Sequence, residues 1–273
     1  MSVQKLQKTV LGWYKNNKRD LPWRKTKDPY EILVSEVMLQ QTQVSRVLEK
    51  YPEFLKAFPT LKALARAPDR ELLSVWKGLG YWKRALNLKE TARIIQQEHK
   101  GRFPKDPREL EKLPGVGPYT ARAVACFAFL NPEAFIDTNI RRVYLHFFFK
   151  DKAEVSDKDI LTIAQKVVWR EDPREWHYAL FDYGAVELKD KKVNRQSRHY
   201  AKQSRFEGSF RSFRTSIVKM LLEKEGVEKK VLRSFLDQQL HKQKAPWEAD
   251  DIIESLVQDG LIAESLHSYL IQD

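Results

Sequence analysis

Sulfur is scarce in this chain: 273 residues contain one cysteine, Cys126. One thiol excludes an internal disulfide and any zinc or iron–sulfur site built from several thiolates. Cys126 lies in the apolar run at 123–130, where a small thiol reads as core packing. Long apolar runs are also missing. None approaches the roughly 20 residues that a membrane-spanning helix needs, so we expect no membrane association. The first residues, MSVQKLQKTVLGWYKN, carry Val3, Leu6, Val10, Leu11, Trp13 and Tyr14 at amphipathic spacing. They lack the apolar core and cleavage site of a secretion signal, and we expect an intracellular protein. No internal repeat occurs, and before residue 207 no alternating strand pattern runs longer than a few residues.

What remains is helical, basic and large enough to bury a core. Hydrophobic residues make up 42% of the chain and the formal net charge is +12, a balance that suits a polyanionic partner. Helical faces can be traced through 29–41, 44–57, 60–65, 69–77, 82–99, 108–112, 118–129, 139–148, 157–168 and 176–184. The fold class is mainly α, with room for a cleft between two helical layers. Charge is distributed unevenly. Residues 207–273 hold nine Lys/Arg against twelve Asp/Glu, which leaves +15 on residues 1–206. After Gly208 a helical pattern restarts with Phe210, Phe213, Ile217, Met220 and Leu221. We therefore divide the chain into a first domain, 1–206, and a small second domain, 207–273. The second reads as three helices near 211–224, 228–240 and 247–258, then two short strands, LIAES and SYLIQ. That order is winged-helix-like. Its third helix opens with Glu248, Asp250 and Asp251, which repel phosphate, so packing or partner binding is the expected role.

The segment ELEKLPGVGPYTAR at 109–122 joins two helical patterns through a Gly-Val-Gly turn. Pro114 stops the first, and Pro118 sits where a proline begins a helix without losing a hydrogen bond. Gly115, Val116 and Gly117 allow close backbone approach, and the helix start beyond them offers unpaired, positively polarised amides suited to a phosphate. The pattern, 108–129, is a helix-hairpin-helix of the kind that grips a DNA backbone without reading sequence. A Gly-capped turn inside an all-α core is the structural alternative. The hairpin carbonyls are also a candidate seat for a monovalent cation.

Two carboxylates stand out. Glu36 sits among Ile32, Leu33, Val37 and Met38 at helical offsets, on or beside the buried stripe. Burial there raises its pKa and equips it to donate a proton near neutral pH; at the edge of the stripe it would instead reach water. Asp137 lies before the helix TNIRRVYLHFFF at an N-cap position, where helix amides favour its charged form; a cap and nothing more is the alternative. A neutral acid paired with an ionised carboxylate is what cleavage of a glycosidic bond uses.

The blocks RDLPWR at 19–24, SEVMLQQTQV at 35–44, GLGYWKRALNL at 78–88, LPGVGPYTARAV at 113–124, FIDTNIRRV at 135–143 and ALFDYGA at 179–185 together resemble adenine DNA glycosylases of the helix-hairpin-helix superfamily. The resemblance covers roughly residues 5–187 and implies two helical subdomains flanking a cleft. It also implies a DNA repair hydrolase that flips out adenine mispaired with 8-oxoguanine or guanine and cuts its N-glycosidic bond. On this resemblance Glu36 is the general acid that protonates the adenine ring. Asp137 stabilises the sugar cation and Asn139 orients it. Tyr119 stands where lyase-type relatives carry the Schiff-base lysine, which implies a monofunctional enzyme. Arg24 and Asp182 match positions near the flipped base. Gln41, Thr42 and Tyr81 match residues that enter or line the duplex, with Tyr81 expected to be exposed on its Gly-rich turn, and Trp23 and Trp82 read as packing aromatics.

The expected partner is double-stranded DNA holding a mispaired adenine, bound by a monomer in the cytoplasm or nucleoid. Two departures from the family pattern matter. The four cluster-ligating cysteines after Ala185 are missing, so no iron–sulfur cluster and no other metal is expected. The basic segment 187–206, with seven Lys/Arg against two Asp/Glu, stands in their place; His199 and Tyr200 within it read as solvated rather than as metal ligands or stacking groups. The family's Nudix-like domain is also missing, which puts preference for 8-oxoguanine over guanine in doubt. A thymine or uracil glycosylase acting opposite guanine, and a non-catalytic DNA-binding module, are the alternative readings.

Overall fold

The structure, a computed structural model, describes residues 2–150, 152–189, 192–198 and 205–272. Among them the helices are α1 (Val3–Asn17), α2 (Pro29–Leu39), α3 (Val44–Ala57), α4 (Leu61–Ala65), α5 (Asp69–Trp76), α6 (Lys83–Gln97), α7 (Pro107–Leu110), α8 (Pro118–Phe129), α9 (Thr138–Phe148), α10 (Asp157–Val167), α11 (Pro173–Asp182), α12 (Phe210–Glu223), α13 (Lys229–Gln243) and α14 (Ala249–Gln258). Three short strands, β1 (Val227–Glu228), β2 (Ile262–Glu264) and β3 (Ser268–Ile271), form an antiparallel sheet in the order β1-β3-β2. No helix of the described residues is long and apolar enough to cross a membrane.

The chain divides into two compact units. The first comprises Met1–Glu36 and Phe103–Lys202. Here α1 buries Leu6, Val10 and Tyr14, one face at helical spacing, and Ser2 caps it by accepting from the Lys5 amide. Most of α8 is buried, from Thr120 to Phe127 with Arg122 excepted, as its run of small and apolar residues requires. Asp172 caps α11 by accepting from the Glu175 amide, and Pro173 occupies its first turn. Those two signals start the helix three residues before the expected 176. Buried Arg174 donates to the carbonyls of Phe127 (2.9 Å), Arg24 (2.8 Å) and Thr26, tying the end of α8 and the 24–26 turn to α11.

The second unit comprises Val37–Arg102 and Gln203–Asp273. It contains the end of α2, which stops at Leu39 rather than near 41: Gln41 takes a left-handed backbone, φ +58°, that ends the helix. Residues 207–273 provide the three expected helices and the two expected strands, plus the short β1 that the sequence reading missed. The acidic residues at the start of α14 have local work. Glu248 and Asp251 form a reciprocal capping box, and Asp250 pairs with Arg233.

In the first unit α11 continues into a π-helical turn, Tyr183–Glu187, whose Gly184 lies against the backbone of α9. A Cβ at Gly184 would stand 2.7 Å from the carbonyl carbon of Asn139 and closer still to its oxygen. Backbone cannot yield as a flexible side chain can. Gly184→Ala is expected to cost about 1–3 kcal/mol through overpacking, read as a lower urea midpoint with an unchanged m-value; an unaltered midpoint would refute the close approach.

Candidate functional site

The first unit holds nine of the residues singled out from sequence: Arg24, Glu36, Gly115, Val116, Gly117, Tyr119, Asp137, Asn139 and Asp182. Glu36, near the end of α2, is 5% exposed and projects into the core. Tyr119, in the first turn of α8, hydrogen-bonds one oxygen of its carboxyl group, while the other, Oε2, is buried without a partner. Burial pushes the Glu36 pKa up to about 7. The Asp137 charge adds to the rise, and the Tyr119 hydrogen bond and the Arg24 charge oppose it. This is the buried alternative for Glu36, and the raised pKa follows from it.

Asp137 is the N-cap of α9, as expected. One carboxylate oxygen accepts from the amides of Asn139 (2.9 Å) and Ile140 (2.7 Å), and the other from the Asn139 side-chain amide (2.9 Å). The expected consequence needs correction. Withdrawal from water outweighs the cap, and the Asp137 pKa is raised rather than held low, although the amides and Arg141 pull it down. Burial strengthens the pull of the helix amides on the anion, but not enough here to offset its lost hydration. Here the surroundings that position the carboxylate also desolvate it. The phenol of Tyr119 is pushed well above its ordinary value by burial and by the charges of Glu36 and Asp137, and so stays protonated as a hydrogen-bond donor.

Aromatic rings pack around this cluster. Tyr119 meets Phe135 edge-on at 5.6 Å, and Phe135 stacks on His177 at 4.0 Å. Phe127 stacks on Tyr178 at 4.4 Å, and the Arg24 guanidinium lies 4.6 Å from the Tyr178 ring centre.

Arg24 and Asp182 are brought together, but chiefly with each other. The Arg24 fork donates to both Asp182 oxygens at 2.7 and 2.8 Å, and Arg19 donates to the same carboxylate through its amide (2.9 Å) and Nε (2.6 Å). Asp182 is fully buried, and these bonds hold its pKa below the usual carboxylate range despite burial. Within the hairpin, Gly115 and Gly117 are exposed, and Gly115 has φ +72°. Val116 turns its side chain into the core and its amide donates to the Leu113 carbonyl at 3.1 Å.

The second unit holds Gln41, Thr42 and Tyr81. Gln41 is exposed on the α2–α3 turn, and Tyr81 is 37% exposed on the α5–α6 turn with φ +47°. Thr42 Oγ1 lies between the two turns, donating to the Leu79 carbonyl at 3.3 Å. Trp23 and Trp82 are buried packing rings.

Sequence reasoning missed Arg84, which ties these turns together. Its guanidinium donates to the carbonyls of Val37 (2.6 Å), Met38 (3.0 Å), Gln40 (2.6 Å), Leu79 (3.0 Å) and Gly80 (3.2 Å), and to Thr42 Oγ1 (3.0 Å). Burial lowers its pKa to about 10, so it remains a cation at neutral pH. A signal was available: Arg84 shares a helix face with buried Leu88, Thr91 and Ile95, a charge on an apolar stripe like that of Glu36. Arg142 and Gly184 were also missed. Arg142 Nη1 donates to the Gly184 carbonyl at 2.5 Å, holding the π-helical turn against α9 beside Asn139.

Cys126, the one thiol, is buried with Sγ 3.6 Å from His177 Nδ1, and burial raises its pKa. A cluster held by four thiolates does not fit this chain. Among the described residues no group of three or more His, Cys, Asp or Glu is placed to hold a metal ion. His199 and Tyr200 lie outside the described residues.

Residues 34–171 match the family described as HhH-GPD superfamily base excision DNA repair protein. Among curated proteins, the adenine DNA glycosylase of Mycobacterium tuberculosis is 42% identical over 181 residues, covering 65% of this chain and 60% of that protein. Those of Buchnera aphidicola and Homo sapiens are each 36% identical, covering 68% and 65% of this chain and 54% and 35% of those proteins. The chain thus spans 54–60% of the length of the first two. A solved thermostable thymine-DNA glycosylase superposes with a TM-score of 0.64 at 30% identity, covering 70% of this chain and 89% of its own. An endonuclease III–DNA complex, at TM-score 0.58 and 22% identity, shares the fold over 70% of this chain and 90% of that one. With the family match spanning half of its residues, the chain belongs to the HhH-GPD superfamily of base excision DNA repair proteins.

Proposed function

We propose that the chain is a monofunctional adenine DNA glycosylase, a monomer that hydrolyses the N-glycosidic bond of adenine mispaired with 8-oxoguanine or guanine in double-stranded DNA. The observation that carries the proposal is the buried Glu36 carboxyl, with a pKa near 7 and one oxygen unpartnered, coupled by charge to the capped Asp137. The adenine assignment rests on the curated relatives named adenine DNA glycosylase at 36–42% identity. Glu36 protonates a ring nitrogen of the flipped adenine, and the bond to the sugar breaks with its electron pair leaving on the base. Asp137, oriented by Asn139, stabilises the sugar cation until water attacks. Tyr119 positions Glu36 and offers no amine for a Schiff base. Arg24 and Asp182, locked together, form a rigid wall of the base pocket. Gln41, Thr42 and Tyr81 engage the duplex where the base has left. Gly115 and Gly117 grip phosphate, supported by the basic residues of 187–206.

The identity test is single-turnover excision on duplexes holding A:8-oxoG, A:G, A:C, T:G or U:G, developed with and without alkali and with borohydride. Alkali-dependent breaks at adenine in A:8-oxoG and A:G, with no trapped covalent adduct, are expected. Cleavage at T:G or U:G instead would favour the pyrimidine reading, which similarity to the thymine-DNA glycosylase supports. Binding without excision on any duplex would leave a DNA-binding module.

The pH profile tests Glu36 directly. A general acid must carry its proton, so the excision rate is expected to fall as pH rises through about 7. The Tyr119 bond lowers the Glu36 pKa, so Tyr119→Phe is expected to move that limb to higher pH. A limb that stays in place or moves to lower pH removes Tyr119 from this role. Glu36→Gln cannot donate a proton and is expected to lose about 10²–10⁴ in rate with binding retained; Asp137→Asn is expected to behave likewise. Full activity in either variant would reject the assignment.

A further inference from the structure

Tyr81 is held by more than its own turn. Its ring centre lies 5.4 Å from the Arg84 guanidinium and 5.2 Å from that of Arg211, and Arg211 Nη1 donates to the phenol oxygen. Arg211 comes from the first turn of α12, 130 residues away in sequence and within the segment read as a separate acidic domain. The contact lies within one compact unit, because 203–273 packs with 37–102.

The base of α12 does not swing freely. Arg70 donates to the carbonyls of Leu221 (3.1 Å), Leu222 (3.2 Å) and Lys224 (3.2 Å), which fixes the end of α12 to α5. Lys77 pairs with Glu223 at 3.3 Å, and Lys83, two residues after Tyr81, donates to the Asp259 carbonyl. Arg214, one turn after Arg211, pairs with Asp259. Arg211 therefore reaches Tyr81 from a fixed platform. The terminal segment is net acidic, yet its acids at the start of α14 are committed to capping and to Arg233, while Arg211 is directed at the tyrosine.

We propose that Arg211 is a positioning residue for Tyr81, so that residues 203–273 take part in engaging the duplex at the point that Tyr81 enters. The proposal rests on the DNA-engaging role given to Tyr81 above. Its physical basis is preorganisation. A half-exposed aromatic on a left-handed residue loses rotamer freedom when it enters a base stack, and restraint before binding reduces that loss. Arg211 supplies restraint from both the ring face and the phenol oxygen.

The test is a double-mutant cycle on the full chain, measuring affinity for a duplex with a tetrahydrofuran abasic analogue opposite guanine. This readout needs no excision. It therefore remains informative if the adenine assignment fails, and wild-type excision without coupling in the cycle would overturn this proposal alone. Arg211→Ala is expected to weaken binding about five- to tenfold and to have no further effect once Tyr81→Ala is in place. Arg211→Lys, which keeps a cation over the ring, is expected to retain at least half of the affinity. Independent, multiplicative losses in the cycle, unchanged binding by Arg211→Ala, or equal losses for lysine and alanine would each overturn it. Should Arg211→Ala lose the fold, Tyr81→Phe removes only the phenol oxygen. It is then expected to weaken binding about two- to threefold, and unchanged binding would overturn the proposal.

Discussion

Keeping a carboxyl group out of water constrains everything near Glu36. An anion there, with one oxygen unpartnered, would be strongly disfavoured, so the group holds its proton up to neutral pH. The neighbours adjust this balance without cancelling it. Tyr119 donates one hydrogen bond and Arg24 contributes a positive field, both favouring ionisation, while the negative field of Asp137 acts against it. Arg24 can supply no more because both arms of its fork are committed to Asp182.

The same desolvation raises the pKa of Asp137 as well, against stronger opposition. Three hydrogen bonds converge on its two oxygens, whereas Glu36 has one. Chain geometry explains the contrast. A residue at a helix N-cap receives amides from the turn that follows, while a residue in the last turns of α2 projects from a backbone whose amides are already spent within the helix. Two carboxylates of similar intrinsic acidity thus receive different numbers of hydrogen bonds because of their positions along a helix. The close approach of Gly184 to Asn139 holds the start of α9 in place and keeps the Asp137 amide cradle in register.

Much of this was legible in sequence because it depends on local pattern. Pro118 and the glycines before it gave the start of α8, the apolar offsets around Glu36 gave its burial, and the residues before TNIRR gave the cap at Asp137. What was not legible depends on tertiary packing. Desolvation of Asp137 comes from elements distant in sequence, and a cap motif carries no information about them. The stop of α2 at Leu39 was hidden because no Gly or Pro marks it; Arg84, more than 40 residues later, bonds the carbonyls at that end. Dividing the chain at 207 from net charge and helical pattern left its association with 37–102 unseen, since neither shows which individual cations face a neighbour.

Arg84 also explains how the second unit tolerates two non-glycine residues in left-handed backbone conformations on adjoining turns. Gln41 and Tyr81 each carry an intrinsic cost, of order 1–3 kcal/mol, that would let an exposed turn relax. Five carbonyls and one hydroxyl, from both turns and the end of α2, converge on a single guanidinium. Relaxing either turn would withdraw carbonyls from a cation that has little water to replace them. The cost of leaving that charge under-bonded exceeds the gain from relieving one backbone torsion. Exposure and strain at Gln41 and Tyr81 are thus stabilised from beneath. Lysine at position 84, a single-point donor on a flexible stem, lacks the planar fork that reaches both turns at once.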